Sequence, residues 1–533
     1  MVRDAALLHE LVFASAQRAP DTPALFDGQR DVSYSDLAGA VSRFAAGMAA
    51  LRIGRGERVA IYLDKRLETV VASFGTPAHG CVIVPINPLL KPEQVAHILR
   101  DCNVRVLITS HERLKMLAAV IPTCSDLRHV VVTDTGQGPP GGVPVAVHLW
   151  SALLSESLSS HWRVVDQDMV AILYTSGSTG RPKGVVLSHR NMVAGAKSVV
   201  SYLDNRADDV LLAALPLSFD AGFSQLTTAF HAGAKAVLLN YLLPKDVVNA
   251  VARHKVTGLT AVPPLWIQLT QVKWPEVASN SVRYFANTGG RMPSDTLQRL
   301  RSLMPQAKPF LMYGLTEAFR ATYLPPEEVD RRPDSIGRAI PNSEILVLRP
   351  DGTPCAPGEP GELVQRGALV AQGYWNDPDR TAERFKPLPG RPGGLVLPEF
   401  AVFSGDTVRK DDEGFLYFIG RRDEMIKSSG YRISPNEVEE VLYATQLVGE
   451  CVAFGVPHAT WGEAVVAVVT ARDGAALELS RLEALCKERM PAYMVPWRIE
   501  VRASSLARNA NGKIDRKMIG DTWRQAFAAA IET

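Results

Sequence analysis

Short apolar segments alternate with amphipathic segments along most of the chain, and this alternation limits the folds that the sequence can adopt. In the first half, RVAIYL, VIVPIN, VRVLITS and HVVVTD have the character of strands, and KPEQVAHILRDC that of a helix with Pro92 in its first turn. The alternation returns after residue 209 with VLLAALP, KAVLLN, GLTAVPP, VRYFANTG and KPFLMYG. Strands that alternate with helices form mostly parallel sheets with helices on both faces, so an α/β fold is predicted.

Two changes in composition along the 533-residue chain predict where its parts meet. A chain of this length exceeds what one hydrophobic core supports. From about residue 335, short strands and Gly/Pro turns predict a small β section, and near residue 420 a charged, glycine-punctuated segment leads into an α+β tail. We therefore predict a large N-terminal domain over residues 1–422, with mostly parallel sheets, covering helices and the small β section. A small α+β C-terminal domain is predicted over residues 423–533.

Charge and cysteine content argue against several classes of function. Lys and Arg number 58 and Asp and Glu number 56, so the net charge of +2 gives no electrostatic case for a nucleic-acid partner or an anionic membrane. No run of about 18 apolar residues predicts a membrane span. The six cysteines, at 81, 102, 124, 355, 451 and 486, lack CxxC spacing. Their scatter argues against a metal knuckle or a disulfide framework and favours a reducing cytoplasm.

The first 21 residues, MVRDAALLHELVFASAQRAPD, have the length of a signal peptide. Acidic Asp4 and Glu10 and an apolar spacing of about 3.6 residues instead favour an amphipathic helix. We therefore predict an amphipathic helix here and no signal peptide.

The stretch AILYTSGSTGRPKGVVLSH at 171–189 is an apolar strand that breaks into a polar loop and then becomes apolar again. Pro182 precedes Lys183 and Gly184 follows it, so the spacing of a Walker loop is absent, and no GxGxxG opens a helix. Small residues let backbone N–H groups approach an anion, and hydroxyls add further donors. The loop is therefore predicted to bind phosphate, and a flexible surface loop is the alternative. The predicted phosphate-binding residues are Thr175, Ser176, Gly177, Ser178, Thr179, Gly180 and Lys183.

Five motifs in a fixed order resemble those of the AMP-forming adenylating superfamily, which contains acyl-CoA synthetases, peptide-synthetase adenylation domains and luciferases. They are YTSGSTGRPKG at 174–184, YGLTE at 313–317, SGD at 404–406, GRRDEMIKSSGYRIS at 420–434 and NGKIDRK at 511–517. The resemblance covers almost the whole chain. More narrowly, the chain is similar to AMP-forming acyl-CoA ligases associated with exosortase systems.

The resemblance implies a reaction in two halves, with ATP and Mg²⁺ as cofactors. A carboxylate attacks the α-phosphorus of ATP to give an acyl-adenylate and pyrophosphate, and a thiol then takes the acyl group. By resemblance, the 175–183 loop holds the β- and γ-phosphates, Thr316 contacts the α-phosphate and Glu317 binds Mg²⁺. An oxygen ligand suits this hard cation. The alternative for Glu317 is a carboxylate at a helix start.

The same resemblance assigns the residues that hold the nucleoside. Tyr313 is expected to stack on adenine beside the backbone of Gly289 and Gly290, and Asp406 and Arg421 are expected to hold the ribose hydroxyls. One carboxylate can accept from two hydroxyl donors. The alternatives are a core aromatic for Tyr313 and a surface ion pair for Asp406 and Arg421.

Lys513 is predicted to be the catalytic residue of adenylation, since a cation there would stabilise charge between the substrate carboxylate and the α-phosphate. Because this lysine lies in the C-terminal domain, that domain must move away before the thiol approaches. By resemblance, Asp423 is the hinge, and Lys427 and Gly430 face the site during thiol transfer. A turn or cap carboxylate is the alternative for Asp423.

The segment LPLSFDAGFSQLTTAF at 215–230 is expected to select the acid. Phe219 and Asp220 match peptide-synthetase adenylation domains, in which the Asp pairs with an amine; a helix cap is the alternative. Arg320 is expected to line the acyl pocket and pair with an acidic group of the substrate, or else with Glu327 or Glu328. Asn287 is also expected to face the pocket.

The sequence therefore predicts an ATP-dependent, AMP-forming carboxylate–thiol ligase for a small carboxylic acid, with an amino acid among the candidates. The alternatives are an acyl-CoA synthetase for a non-amino acid and a non-catalytic nucleotide-binding protein. The thiol would come from CoA or from the phosphopantetheine of a separate carrier protein.

Overall fold

The computed structural model describes residues 4–134, 143–155, 162–175, 182–389, 397–421, 424–428, 431–458, 461–472, 477–509 and 512–531. Its α-helices are α1 Glu10–Arg18, α2 Tyr34–Ala50, α3 Leu67–His79, α4 Pro92–Asp101, α5 His111–Leu117, α6 Trp150–Leu153, α7 His189–Leu203, α8 Asp220–Ala232, α9 Pro244–His254, α10 Pro263–Leu269, α11 Glu276–Ser281, α12 Ser294–Leu303, α13 Pro378–Arg384, α14 Pro435–Ala444, α15 Leu479–Arg489 and α16 Arg516–Ile531. Short 3₁₀ turns occupy Ile121–Thr123, Thr316–Ala318 and Pro326–Glu328.

The strands follow the predicted alternation with these helices. They are β1 Pro23–Phe26, β2 Asp31–Ser33, β3 Arg58–Tyr62, β4 Val82–Pro85, β5 Val104–Thr109, β6 His129–Val132, β7 Ala146–Leu149, β8 Met169–Thr175, β9 Lys183–Ser188, β10 Val210–Ala213, β11 Lys235–Leu238, β12 Gly258–Ala261, β13 Tyr284–Asn287, β14 Lys308–Tyr313, β15 Thr322–Leu324, β16 Arg338–Ala339, β17 Ser343–Leu348, β18 Gly361–Gly367, β19 Gly373–Tyr374, β20 Phe385–Pro387, β21 Phe400–Lys410, β22 Leu416–Arg421, β23 Ile426–Ser428, β24 Tyr431–Ile433, β25 Val448–His458, β26 Gly462–Ala471 and β27 Arg498–Arg502.

Two large sheets carry most of the chain before residue 340. One has the order β16-β15-β14-β13-β12-β10-β11-β1-β2 and the other the order β19-β9-β8-β4-β3-β5-β6-β7. Their central strands pair in parallel, as in β10 with β12 and β3 with β5, and antiparallel strands lie toward the edges. The predicted α/β fold with mostly parallel sheets is confirmed.

Local sequence explains why these elements form where they do. All four residues of β4 are buried, which is the pattern of a strand covered by helices on both faces. Helix α4 begins at Pro92, and the backbone N–H of Lys91 donates to Oε1 of Gln94 at 2.9 Å. Its buried residues Val95, Ile98 and Leu99 recur at helical spacing and face the core.

The predicted N-terminal helix is present as α1. Helix α1 buries Leu11, Val12 and Ala14, and the hydroxyl of Ser15 donates to the carbonyl of Phe230 at 2.6 Å. No helix in the described part of the chain is long and apolar enough to cross a membrane. All six cysteines are free thiols.

After residue 340 the chain forms two smaller sheets. The β section has the order β17-β18-β21-β20 with β22 on β21, and the C-terminal sheet has the order β24-β23-β26-β25 with β27 on β26. Two hydrophobic clusters drawn from residues 426–523 belong to the C-terminal sheet and its helices. Residues 422 and 423 lie outside the described residues, so the predicted boundary between them stays a prediction.

Ion pairs join the C-terminal part to the large sheets. Arg291, which follows β13, pairs with Asp334 and also with Glu440 of α14. Nη2 of Arg472 lies 2.6 Å from Oδ2 of Asp295 in α12. These side chains are 19–40% exposed, apart from Asp334 at 64%. They join the C-terminal part to the connection between β13 and β14.

Candidate active site

Thr175 and Lys183 frame the predicted phosphate loop. Thr175 ends β8, Lys183 begins β9, and the two residues face each other across the antiparallel pair. The hydroxyl oxygen of Thr175 is buried and has no hydrogen-bond partner among the described residues. A buried hydroxyl of this kind calls for a partner beyond the described residues, and a phosphate oxygen is a suitable one. Ser176, Gly177, Ser178, Thr179 and Gly180 lie outside the described residues, so their role stays a prediction.

A cluster of three side chains lies next to this loop. Nζ of Lys183 donates to the hydroxyl of Tyr374 at 3.0 Å, and this hydroxyl donates to Oε1 of Glu317 at 2.6 Å. Lys183 Nζ is 3.5 Å from the same carboxylate oxygen. Burial would raise the pKa of Glu317, but the Lys183 ammonium and the Tyr374 hydrogen bond outweigh burial and lower it. Glu317 is thus held as a carboxylate, which a hard cation requires.

Tyr374 is a site residue that the sequence analysis missed. It lies 57 residues after Glu317, and it reaches the cluster because β19 pairs with β9 in antiparallel register. Its ring packs edge-on against Phe385, with centroids 5.6 Å apart. No local pattern in the sequence predicts the pairing of β19 with β9, so the position of Tyr374 beside Glu317 follows only from the tertiary structure.

Tyr313, Asp406 and Arg421 come together at the end of β14. The hydroxyl of Tyr313 donates to Oδ2 of Asp406, and Nε of Arg421 lies 3.3 Å from Oδ1. Asp406 and Arg421 are direct cross-strand partners in β21 and β22. Burial raises the pKa of Asp406, and Arg421 partly offsets this rise. Asp406 and Arg421 do form an ion pair, as the alternative interpretation of these residues held. Asp406 is only 8% exposed, however, so this ion pair does not lie on the surface.

Lys513 reaches the carboxyl ends of the parallel strands. Its Nζ lies 5.7 Å from the centre of the Phe219 ring. Gly289 has φ +76°, and a Cβ there would lie 3.1 Å from Cε of Lys513, so a glycine fits both the backbone and the lysine. Burial lowers the pKa of Lys513, and nearby Asp220 and Asp406 oppose this effect. The predicted catalytic lysine and the predicted substrate residues therefore lie side by side.

Asp220 and Arg320 form a buried ion pair with each other. Nη1 of Arg320 is 3.7 Å from Oδ2 of Asp220, and the two side chains are 5% and 6% exposed. Burial raises the pKa of Asp220, and Arg320 partly offsets the rise. The alternative partners of Arg320, Glu327 and Glu328, are wrong: Glu328 pairs with Arg332 instead.

Asp220 and Asn287 lie at the ends of two elements that border the site. Asp220 is not the N-cap of α8; Phe219 holds that position, and Asp220 is the first helical residue, with Oδ1 accepting from the N–H of Ala221 at 2.8 Å. Asn287 ends β13 and donates to the carbonyl of Gly290 at 2.7 Å. Its buried Oδ1 has no partner among the described residues, which leaves an acceptor for a ligand.

The remaining predicted residues are only partly described. Thr316 lies in the 3₁₀ turn beside Glu317, half-buried. Lys427 lies in β23, but its side chain is outside the described set, and Asp423 and Gly430 are outside it altogether. The hinge and thiol-transfer roles therefore stay predictions.

The chain is similar to known AMP-binding enzymes along most of its length. The AMP-binding enzyme family matches residues 12–375, and the AMP-binding enzyme C-terminal domain matches residues 437–513. The long-chain-fatty-acid–CoA ligase of Salmonella typhimurium is 29% identical over 97% of this chain and 94% of its own length. The L-proline–[L-prolyl-carrier protein] ligase of Pseudomonas fluorescens is 30% identical over 96% and 98%. The structure of o-succinylbenzoate coenzyme A synthetase from Bacillus subtilis with ATP and magnesium is 28% identical, with a TM-score of 0.79 over 96% of this chain and 99% of that one.

Proposed function

The chain belongs to the AMP-binding enzyme family of AMP-forming acid–thiol ligases, and on this premise we propose that it activates a small polar carboxylic acid and passes it to a phosphopantetheine thiol. The observation that carries the proposal is the position of Lys513 against Gly289 and Phe219, next to the Asp220–Arg320 pair. A cation at this point can stabilise the charge that develops between a carboxylate and a phosphate.

In the first half-reaction, one oxygen of the carboxylate forms a bond to the α-phosphorus of ATP while the bond to the bridging oxygen breaks and pyrophosphate leaves. We assign charge stabilisation in this step to Lys513 and phosphate binding to Thr175 and Lys183. In the second half-reaction the thiolate sulfur attacks the acyl carbon, and AMP leaves with the original carboxylate oxygen. CoA and a carrier protein both supply such a thiol, and the relatives named above include ligases of each kind.

The residues present fit Mg²⁺ when it arrives with ATP. In the described part of the chain, no group of three or more His, Cys, Asp or Glu side chains could hold a metal alone. Mg²⁺ commonly binds through one or two carboxylates together with substrate phosphates. We propose that Glu317 is this carboxylate and that Tyr374 and Lys183 hold it in position. Bound Mg²⁺ would neutralise phosphate charge.

Tyr374→Phe should lower kcat/KM for ATP by about 10-fold, since a hydrogen bond to a charged group typically contributes that much or more. The variant keeps the ring and its contact with Phe385 but loses the hydroxyl between Lys183 and Glu317. The measurement is ATP–pyrophosphate exchange with Mg²⁺ and ATP varied separately. The KM for the acid should stay unchanged. An unaltered response to both ATP and Mg²⁺ would show that the hydroxyl does not position Glu317.

An amino acid is the second candidate substrate, and the state of Asp220 favours it. Oδ2 of Asp220 accepts no hydrogen bond from the described residues, and its distance of 3.7 Å from Arg320 leaves it open to a further donor. An ammonium would supply that donor. Because Arg320 already neutralises Asp220, however, the site does not depend on a substrate cation.

A panel of amino, aryl and alkyl acids in ATP–pyrophosphate exchange tests the proposed function. If Asp220 binds an amine, Asp220→Asn should lower the preference for an amino acid over its deaminated counterpart by at least about 10-fold. Equal losses with both acids would assign Asp220 a purely structural role. A protein that ATP stabilises against thermal unfolding, but that exchanges pyrophosphate with no acid, would instead be a non-catalytic nucleotide-binding protein.

A further inference from the structure

Arg320 has unused hydrogen-bonding capacity in a place where water is nearly excluded. The residue is 4% exposed. Nη1 donates to the carbonyl of Phe319 at 3.1 Å and faces Asp220. Nε is buried without any hydrogen-bond partner, and Nη2 donates to none of the described residues. A guanidinium carries five N–H donors, so most of them here lack an acceptor.

The two unused nitrogens form one edge of the guanidinium. The N–H of Nε and one N–H of Nη2 point in parallel, and this edge matches the two oxygens of a carboxylate. Asp220 occupies the Nη1 side and therefore fixes the guanidinium without covering the open edge. A buried cation with an open bidentate edge is costly unless a ligand completes it.

Arg320 also lines a small cavity. The cavity measures about 20 Å³, and its walls include Ser224, Thr228, Tyr284 and Met312. The hydroxyl of Thr228 is buried without a partner among the described residues. Lys513 Nζ lies 5.7 Å from the centre of the Phe219 ring, the next residue is Asp220, and Asp220 faces Arg320 at the cavity wall. One end of a substrate can therefore react near Lys513 while the other end meets Arg320.

The size of the cavity sets a limit on the acyl chain. A volume of this order holds about one water-sized group, so only the end of a short acid can reach this wall, and a long alkyl chain does not fit without rearrangement of the core. A hydrocarbon chain would also leave Arg320 without an acceptor. The site thus differs in chemistry from one that accepts a fatty acid.

Resting on the proposed function, we infer that the activated acid is a short dicarboxylic acid whose second carboxylate binds the Nε and Nη2 edge of Arg320. The inference does not require an amine on the substrate, because Oδ2 of Asp220 would take an ammonium independently. Arg320 is then the residue that selects the acid, and Asp220 is its positioning partner.

The test compares acids of equal length in ATP–pyrophosphate exchange. One series contains succinic, succinamic and butyric acids and their five-carbon homologues; the other contains aspartate, asparagine and 2-aminobutyrate with glutamate, glutamine and norvaline. In at least one series the diacid should exceed the alkyl acid in kcat/KM by about 10²-fold or more, because a site built for polar groups rejects substrates that leave those groups unpaired. The monoamide should fall between them. An alkyl acid that equals or exceeds the diacid in both series would overturn the inference.

Arg320→Gln should reduce the diacid-to-alkyl ratio of kcat/KM at least about 10-fold. A ratio measured on one preparation does not depend on the folded fraction, so partial unfolding cannot imitate the effect. The matched control is Arg332→Gln, at another buried arginine that pairs with Glu328. The control should leave the ratio unchanged. An unchanged ratio in Arg320→Gln, or the same change in both variants, would refute the assignment.

The outcomes separate this inference from the function on which it rests. Exchange with amino or aryl acids, combined with no advantage for diacids over alkyl acids, would remove the dicarboxylate inference alone. Absence of exchange with every acid, despite thermal stabilisation by ATP, would remove the proposed function as well.

Discussion

Replacing Lys513 by Ala is expected to lower the rate of adenylate formation by at least about 10²-fold, the usual scale for losing an electrostatic stabiliser of a transition state. Lys513 contacts the region of Gly289 and Phe219, where charge would develop between the acid and the α-phosphate. A tenfold change corresponds to about 1.4 kcal/mol, so the expected loss is about 2.7 kcal/mol or more. The measurement is ATP–pyrophosphate exchange at saturating ATP and acid.

The variant should form thioester normally from a supplied acyl-adenylate, because our proposal gives Lys513 no part in the second half-reaction. Lys517→Ala is the matched control, since Lys517 is an exposed lysine of the same C-terminal segment, and it should behave as the natural enzyme. Failure of thioester formation with intact adenylation would reverse the assigned role.

Burial lowers the pKa of Lys513, so kcat/KM should fall at lower pH than for an ordinary lysine as the ammonium deprotonates. Lys513→Arg should move this alkaline loss to higher pH.

Glu317→Gln is expected to raise the Mg²⁺ concentration for half-maximal exchange at least about 10-fold and to lower the maximal rate by about 10²-fold. The amide keeps the shape of the side chain but removes the charge that faces both Lys183 and the proposed metal. In the described part of the chain no other acidic group forms a metal cluster that could compensate. Loss of the carboxylate also leaves the partly buried ammonium of Lys183 without its counter-charge, which adds to the cost.

Glu344→Gln is the control for this substitution, because Glu344 lies in an exposed ion pair with Arg366 on the β section. It should leave both the Mg²⁺ dependence and the maximal rate unchanged. If Glu317→Gln shows an unaltered Mg²⁺ titration, the metal binds elsewhere. If only the protein's thermal stability changes, Glu317 serves the fold through Lys183 and not the reaction.

The sequence predicted the fold because its main signals are local. The continuous apolar run of β4 reflects a strand that is buried on both faces. The helical periodicity of α4 reflects a helix that is buried on one face. Each pattern can be recognised within a dozen residues. The resemblance assigned Tyr313 to adenine and Asp406 to the ribose of one nucleotide; these roles stay predictions, and the hydroxyl of Tyr313 donates to Oδ2 of Asp406. These are cases in which local pattern and tertiary structure agree.

Pairings between distant segments escaped prediction. The partner of Arg320 is 100 residues earlier, at the start of α8, whereas Glu328, one of the two nearby glutamates offered as alternatives, pairs with Arg332. Tyr374 reaches Glu317 only because β19 returns to the first large sheet. Sequence spacing carries no information about such contacts, since they depend on how sheets are ordered and which edges meet.

The strength of the ion pairs between the C-terminal sheet and the large sheets affects how readily the C-terminal part can move. Arg291 with Glu440 and Arg472 with Asp295 are partly solvated tethers, and tethers of this kind contribute roughly 1 kcal/mol or less each. Thermal motion breaks and remakes bonds of that strength readily, whereas a large apolar seam would fix the lysine loop in one place. Weak attachment therefore suits the proposed cycle, in which Lys513 is present for adenylation and moves away before thiol transfer.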